Sequence, residues 1–261
     1  MGAIRLTPSF KEKVWGSTQL GPLFPDSDKK IGEVWFEGVG NLPVLIKFLF
    51  TTEKLSVQVH PDDAYARLNH DSFGKTEMWH ILRAEPGAQI AAGFRKTITP
   101  QQLREASLSG EIEGLLQWFD ASPGDTFFIP AGTVHAIGAG LTLCEIQQHS
   151  DVTYRLYDYG RPRELHLDRA VEVSHLGPHV AQRHIKDEVL VSCPYFTTSR
   201  FSIADSIRHM PPSNKSQIFI VIDGSGTLDG HAVKAGEVWY LEEGIQETEI
   251  AGSATFLRVT P

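Results

Sequence analysis

Short segments rich in β-branched and aromatic residues recur along the chain, and each is bounded by glycine, proline or aspartate. The first group covers residues 43–50, 55–60, 78–82, 126–129, 141–146 and 152–157. The second group covers residues 196–203, 216–222, 236–241 and 254–259. Strands separated by such turn residues are typical of a β-barrel or a β-sandwich. The pattern therefore predicts a mainly β fold.

Residues 99–119 interrupt this pattern. Thr99 and Pro100 predict a helix N-cap followed by a proline in the first turn. Apolar side chains then recur with helical spacing at Leu103, Ala106, Leu115 and Leu116. We therefore expect a small helical insert at residues 99–119.

Composition and charge narrow the class of protein. Hydrophobic residues make up 41% and charged residues 21% of the 261 residues, which is typical of a globular protein. The formal net charge of −8 opposes nucleic-acid binding, which requires clustered lysine and arginine. The longest apolar run, residues 42–50, contains Lys47 and is too short to cross a bilayer. Residues 1–16 hold no apolar core of a signal peptide, and Cys144 and Cys193 are the only cysteines, so we expect a cytoplasmic protein with reduced thiols.

The most informative motif covers residues 124–135, with the sequence GDTFFIPAGTVH. A glycine turn begins a strand, the strand ends at Pro130, Gly132 permits a tight reversal, and the next strand directs His135 into the barrel. This motif resembles the second motif of the cupin superfamily, in which glycine, proline, glycine and histidine have the same spacing. Ala139 stands where that family has a trailing asparagine. The resemblance implies a cupin barrel with His135 as a metal ligand.

Three further side chains could complete a metal site with His135. Gln58 and His60 lie two residues apart on a predicted strand, so both point to one face of the sheet. Glu77 supplies a carboxylate at the start of another predicted strand. This mixed set of nitrogen and oxygen ligands suits one Zn²⁺ per chain, and leaves Mn²⁺, Fe²⁺ and Co²⁺ open.

The segments QVHPDD, GKTEMW and PAGTVHAIG, followed by residues 145–151 and Arg155, resemble the type I mannose-6-phosphate isomerases. The resemblance covers residues 10–168 and includes residues 31–35 and 45–48. It implies a metal-dependent aldose–ketose isomerase that interconverts mannose 6-phosphate and fructose 6-phosphate. It also implies zinc binding through one glutamine, one glutamate and two histidines, which map onto Gln58, His60, Glu77 and His135.

The same resemblance implies catalytic residues. Arg155, four residues after Asp151, matches a catalytic arginine of the family, and Lys75 matches its active-site lysine. Glu145 matches a glutamate near the reacting carbons, and the base is left open between Glu145 and a water molecule at the metal. We expect Arg155 to support the negative charge that develops during the reaction.

A sugar phosphate also needs local cations, because an acidic protein must still bind a dianion. Lys75, Arg161 and Arg163 are the candidates for this phosphate site. Arg161 stands where the family commonly carries a lysine, which keeps the charge and changes the donor geometry.

The C-terminal segment repeats the cupin pattern without its ligands. Gly236 and Gly244 match both glycines of the second motif, whereas Glu242 replaces the proline and Glu247 replaces the histidine. We therefore expect a bicupin with two jelly-roll barrels. Residues 1–173 form the metal-binding catalytic domain, and residues 174–261 form a connection, at residues 174–187, and a degenerate cupin without metal.

Two other functions stay open at this stage. A metal-dependent oxygenase or decarboxylase of the cupin class usually has a His-x-His pair where this chain has Gln58 and His60. An inactive, sugar-binding regulatory cupin would keep the ligands and lose turnover. A monomer and a homodimer are both compatible with the sequence, and the remaining histidines in apolar segments are expected to be structural, at His80, His149 and His166.

Overall fold

The structure is a computed structural model that describes residues 2–40, 42–179, 183–184 and 188–261, with only the backbone described at residues 183–184. Its N-terminal part forms the strands β1 Ala3–Arg5, β2 Thr7–Ser17, β3 Ile31–Glu37, β4 Val44–Thr51, β5 Val57–Val59, β6 Glu77–Ala84, β7 Gln89–Phe94, β8 Leu116–Asp120, β9 Thr126–Ile129, β10 His135–Ile137, β11 Leu141–Gln148 and β12 Tyr154–Tyr157. The C-terminal part forms the strands β13 Arg183–His184, β14 Val189–Ser192, β15 Thr197–Ile203, β16 Ser206–His209, β17 Gln217–Leu228, β18 His231–Lys234, β19 Val238–Leu241 and β20 Thr248–Thr260. The predicted mainly β fold is confirmed.

Four helices occur within the described residues: α1 Asp63–His70, α2 Pro100–Ser109, α3 Ile112–Leu115 and α4 Leu167–Val173. None of them combines the length and the apolar character that crossing a lipid bilayer requires. The start of α2 is as predicted, because the Thr99 hydroxyl accepts from the Gln102 amide at 3.1 Å and the Gln102 side chain accepts from the Thr99 amide at 2.9 Å.

The end of the predicted helical insert is wrong. Leu116–Asp120 is the strand β8, which pairs with β7 through the register Ala91↔Trp118. Gly110 ends α2 in the left-handed conformation, with φ of 84°, a conformation that glycine adopts without steric cost. Leu115 is the last residue of α3, whereas Leu116 begins β8 and is buried as part of the sheet.

The strands β2 to β13 form two sheets that face each other. The five-stranded sheet has the order β12-β5-β10-β7-β8, and the seven-stranded sheet has the order β13-β9-β6-β11-β4-β3-β2. Their facing sides enclose fully buried apolar side chains, among them Trp79, Ile90, Phe127 and Leu143. Each such side chain contributes roughly 1.5–3 kcal/mol through burial, so this core fixes the distance between the two sheets.

The outer faces of the two sheets are also covered. Leu103 of α2 and Ala170 of α4 pack against the five-stranded sheet, next to Phe94. The seven-stranded sheet packs its outer face, including Phe48, on the C-terminal sheet, including Leu257. The molecule is therefore layered as helices, five-stranded sheet, seven-stranded sheet and C-terminal sheet.

The C-terminal sheet has the order β1-β19-β17-β20-β15-β14, with β16 on β20 and β18 on β17. Its first strand, Ala3–Arg5, comes from the other end of the chain and pairs with β19, which the sequence did not indicate. The predicted connection at residues 174–187 lies partly outside the described residues, at residues 180–182 and 185–187. The division at residue 173 and the two separate cupin barrels stay predictions.

Candidate metal centre and active-site cavity

The predicted metal ligands come from both facing sheets. Gln58 lies in β5, His60 follows directly after it, and His135 begins β10, all on the five-stranded sheet. Glu77 begins β6 on the seven-stranded sheet. Gln58 and His135 are direct cross-strand partners in the β5–β10 register, so their side chains share one face of the sheet.

Three of these side chains meet in the interior. The possible ligand atoms of His60, Glu77 and His135 all lie within 4.8 Å of one another. Nε2 of His60 is 3.6 Å from one Glu77 carboxylate oxygen, and Nε2 of His135 is 3.5 Å from the other. All three side chains are at most 1% exposed. This is the spacing of groups that can share one ion.

Both imidazole rings are held in the tautomer that binds a metal. Nδ1 of His60 contacts the carbonyl oxygen of Val152 at 3.0 Å, and Nδ1 of His135 contacts that of Thr133 at 2.9 Å. A carbonyl can only accept, so each Nδ1 carries the proton and each Nε2 keeps its lone pair. Burial lowers the pKa of His135 to about 4 and that of His60 well below its usual value, so both rings are neutral near pH 7.

The residues present fit a divalent cation. The oxygen Oε1 of Glu77 and Nε2 of His135 are buried and have no hydrogen-bond partner among the described residues. Burial raises the pKa of Glu77 to about 7, and leaving its oxygen Oε1 buried without a hydrogen-bond partner is costly. A buried carboxylate and two neutral imidazoles that converge in this way are the donors of a mixed nitrogen and oxygen metal site.

Lys75 adds a positive charge beside this cluster. Its ammonium group is 3.1 Å from Nε2 of His60 and 3.1 Å from a carboxylate oxygen of Glu77. Burial acts to lower the pKa of Lys75, but the carboxylates of Glu77 and Glu145 outweigh it and raise the pKa above its usual value. Lys75 is therefore protonated near pH 7. It lies between the group of His60, Glu77 and His135 and a neighbouring open space.

That space is a cavity of about 460 Å³, large enough for a small ligand. Six of the predicted site residues line it: Gln58, Lys75, Glu145, Asp151, Arg155 and Arg163. Arg161 is not among its lining residues. Its guanidinium group contacts the Asp158 carboxylate at 3.3 Å and the Lys54 carbonyl at 2.7 Å.

Arg155 lies next to the metal cluster on the five-stranded sheet. It is the cross-strand partner of Gln58, which itself pairs with His135. One terminal nitrogen of Arg155 donates to the Glu164 carbonyl at 2.8 Å, and its Nε is buried with no hydrogen-bond partner in the described residues. Arg155 therefore brings an unpaired charge close to the ligands.

The sequence did not indicate the role of Lys47. Its ammonium group lies 3.2 Å from the Glu145 carboxylate and 4.4 Å from the ring centroid of Trp35. The Trp79 indole donates to the same carboxylate at 3.0 Å. Burial acts to raise the pKa of Glu145, but Lys47 and Lys75 outweigh it and hold the pKa below its usual value. A lone lysine in the fully buried strand β4 was the signal that could have identified this pair.

The strand β2 contributes side chains that were also missed. Lys11, Lys13 and Trp15 are spaced by two residues and all line the cavity, as expected for one face of a strand. Lys13 is 3.5 Å from Glu33, and the Trp35 indole donates to Glu33 at 2.8 Å. Lysine or tryptophan at every second position of β2, at residues 11, 13 and 15, is the signal that could have identified this side of the cavity.

The three histidines expected to be structural lie outside the metal cluster. His80 contacts the Thr126 hydroxyl at 2.9 Å, and His149 contacts the Leu42 carbonyl at 2.7 Å. His166 accepts from the Arg155 amide at 3.1 Å. Each ring is hydrogen-bonded within the protein, which agrees with the structural interpretation.

Curated relatives match nearly the whole chain. Mannose-6-phosphate isomerase ManA of Bacillus subtilis is 33% identical over 95% of this chain and 95% of its own length. The mannose-6-phosphate isomerase of Streptococcus mutans is 34% identical over 80% of this chain and 71% of its own length. A scan against protein-family models finds no match.

Solved structures show the same architecture. The crystal structure of the mannose 6-phosphate isomerase from Bacillus subtilis superposes with a TM-score of 0.87 at 30% identity, and covers 99% of both chains. A mutant phosphomannose isomerase from Salmonella typhimurium gives a TM-score of 0.80 at 16% identity over 99% of both chains. The second likeness concerns the fold alone.

Proposed function

Because the chain belongs to the mannose-6-phosphate isomerase family, we propose that it is a metal-dependent aldose–ketose isomerase that interconverts mannose 6-phosphate and fructose 6-phosphate. The observation that carries the proposal is the buried group of His60, Glu77 and His135 beneath a cavity lined with cations and carboxylates. The family resemblance disfavours an oxygenase or decarboxylase. The protein acts in the cytoplasm on a small sugar phosphate, as a monomer or homodimer, and has no nucleic-acid or membrane partner.

Gln58, His60, Glu77 and His135 hold one divalent ion, which we assign as Zn²⁺. The support is the donor set, with two neutral imidazoles and one carboxylate, of which His135 Nε2 and Glu77 Oε1 have no hydrogen-bond partner among the described residues. Gln58 adds an amide oxygen from the neighbouring position in the sheet. When bound, such an ion supplies Lewis-acid stabilisation to the carbonyl and hydroxyl oxygens of the sugar.

Glu145 moves the proton between the two adjacent carbons of the substrate. Its lowered pKa keeps it ionised near pH 7, so it can accept a proton from carbon and return it. Lys47 and the indole of Trp79 hold the carboxylate in one orientation. Catalysis of this kind needs the base to be fixed within hydrogen-bond reach of the reacting carbon.

Arg155 and Lys75 stabilise the negative charge that develops on the sugar oxygens as the proton leaves. Lys75 does so from its position beside His60 and Glu77. Asp151, exposed at the mouth of the cavity, accepts hydrogen bonds from sugar hydroxyl groups. Of the three cations predicted for the phosphate, Lys75 serves the reacting end, Arg163 lines the cavity and Arg161 does not.

Mannose 6-phosphate is expected to be converted to fructose 6-phosphate, and a chelator is expected to abolish the conversion until Zn²⁺ is restored. The measurement is a coupled assay for fructose 6-phosphate under air and under nitrogen. Equal rates under both gases are expected, because proton transfer between carbons consumes no oxygen. Binding of mannose 6-phosphate without any turnover would contradict the proposal and favour a regulatory sugar-binding protein.

Arg155→Ala is expected to lower kcat by about 10²-fold or more while metal content stays at the wild-type value, because one preorganised cation is lost from the charge that develops in the transition state. Turnover and elemental analysis are measured on the same preparation. Arg208→Ala is the matched control, since Arg208 is 81% exposed in the C-terminal sheet. Wild-type turnover in Arg155→Ala would remove this residue from the mechanism.

A further inference from the structure

Among the described residues, six cationic side chains line the active-site cavity: Lys11, Lys13, Lys47, Lys75, Arg155 and Arg163. Four of them already have a carboxylate partner. The pairs are Lys13 with Glu33 at 3.5 Å, Lys47 with Glu145 at 3.2 Å, Lys75 with Glu77 at 3.1 Å and Arg163 with Asp158 at 2.6 Å. A cation whose charge is balanced in this way attracts an incoming anion less strongly. Lys11 and Arg155 are the two lining cations without a carboxylate partner in the described part of the chain.

The two unpaired cations lie on different sheets. Arg155 is the cross-strand partner of the predicted ligand Gln58, so it serves the end of the cavity where the sugar carbons react. Lys11 lies on β2, the last strand of the seven-stranded sheet. Its ammonium group lies 5.3 Å from the centroid of the Trp35 ring. The Lys47 ammonium group lies 4.4 Å from the same centroid.

A row of cross-strand partners leads from the reacting end to Lys11. Trp79, Glu145, Lys47 and Trp35 are directly paired across β6, β11, β4 and β3. On β2, Ser9 is the partner of Trp35 and Lys11 is the partner of Glu33. Lys11 therefore lies two residues along the strand from the partner of Trp35. Glu145, Lys47, Trp35 and Lys11 of this row line the cavity, so charge and aromatic surface are continuous along one of its walls.

The length of a hexose 6-phosphate matches this wall. Six bonds separate C2 from phosphorus, or about 7 Å in the extended conformation. Neighbouring strands lie about 4.8 Å apart. A substrate whose reacting carbons lie near Glu145 on β11 therefore extends over β4 and toward β3. The Lys11 side chain covers the remaining distance from β2, because its ammonium group lies 5.3 Å from the centroid of the Trp35 ring on β3.

We propose that Lys11 binds the phosphate group of the sugar phosphate, and thereby selects a phosphorylated hexose over a neutral one. The proposal rests on the proposed function and identifies a contact for that same site. Arg163, one of the three cations expected from sequence for this role, is held by Asp158 through two bonds of 2.6 and 2.7 Å. Its guanidinium group already has a carboxylate partner, which it shares with Arg161, whereas the Lys11 ammonium group has none among the described residues.

Lys11→Met is expected to raise KM for mannose 6-phosphate about 10- to 100-fold with kcat changed less than about twofold, since a charge-assisted contact remote from the reacting carbons is lost. The dissociation constant of inorganic phosphate, measured by calorimetry on the metal-loaded protein, is expected to rise by a similar factor. Lys11→Arg keeps the charge and is expected to restore both values to within about threefold. Lys29→Met is the control, because Lys29 is 60% exposed and pairs with Glu12 outside the cavity.

Unchanged KM and phosphate affinity in Lys11→Met would overturn the proposal. So would a loss of kcat at constant KM, or an effect that appears only in Arg163→Met. The calorimetric measurement needs no turnover, so it tests Lys11 even if the protein fails to isomerise mannose 6-phosphate. A protein without isomerase activity whose phosphate affinity depends on Lys11 would refute the proposed reaction and retain the phosphate site.

Discussion

Replacing His135 with alanine is expected to abolish stoichiometric metal binding and to lower isomerase turnover by at least about 10³-fold, since several kcal/mol of charge stabilisation depend on the ion. His135 is fully buried, its Nε2 has no hydrogen-bond partner among the described residues, and its Nδ1 is fixed by Thr133. No neighbouring histidine can take its place, because within the described residues the metal-type cluster contains His60, Glu77 and His135 alone.

The test of His135→Ala is elemental analysis after dialysis, combined with the coupled assay. His80→Gln is a matched control, because His80 is an equally enclosed histidine of the same sheet pair that contacts Thr126 instead of the cluster. The control is expected to keep one metal ion per chain. A His135→Ala protein that still holds one ion per chain would show that the ligands are assigned wrongly.

The local features of the fold could be read from the sequence because short-range chemistry determines them. The Thr99 cap is formed by residues three positions apart, and the turn before His135 depends on Pro130 and Gly132. Gly132 adopts φ of 83°, which the motif anticipates. His60 and Glu77 could be predicted as partners in one cluster because each belongs to a short motif that resembles a motif of the family. Each of these motifs lies at the end of one strand.

The features that escaped prediction depend on which strands pair. Lys47 and Glu145 meet only because β4 and β11 are neighbours in one particular register, and no local pattern encodes that register. The same applies to Ala3–Arg5, which joins a sheet built from the opposite end of the chain. The apolar spacing of residues 116–120 does not distinguish a helix from a strand. Their pairing with β7 determines that they form a strand.

The difference between Arg161 and Arg163 is likewise tertiary. Both flank one proline, and both were equal candidates for a phosphate site. Asp158, 3% exposed, contacts both guanidinium groups, and the Lys54 carbonyl draws Arg161 away from the cavity. The number of cations in a loop therefore overstates the positive charge available to a ligand, because a buried carboxylate neutralises part of that charge.

Lys47→Met is expected to lower the free energy of unfolding by about 3–5 kcal/mol, because the buried Glu145 carboxylate loses its ion-pair partner at 3.2 Å and keeps only the charge of Lys75 nearby. Lys47 is 3% exposed and Glu145 is 4% exposed, so both charges are largely desolvated although they line the cavity. The remaining contact of the carboxylate with the Trp79 indole provides one hydrogen bond and no charge. Urea unfolding of both proteins at equal metal content gives the difference.

The double variant Lys47→Met/Glu145→Gln decides whether this loss comes from the pair. If the buried ion pair is the cause, the double variant is expected to be more stable than the sum of the two single variants predicts, by about 1–3 kcal/mol. Lys29→Met removes an exposed partner of Glu12 and is expected to change stability by less than about 0.5 kcal/mol. Additive losses at positions 47 and 145 would mean that the two side chains stabilise the protein independently, and the orientation of Glu145 in the proposed reaction would then need another cause than Lys47.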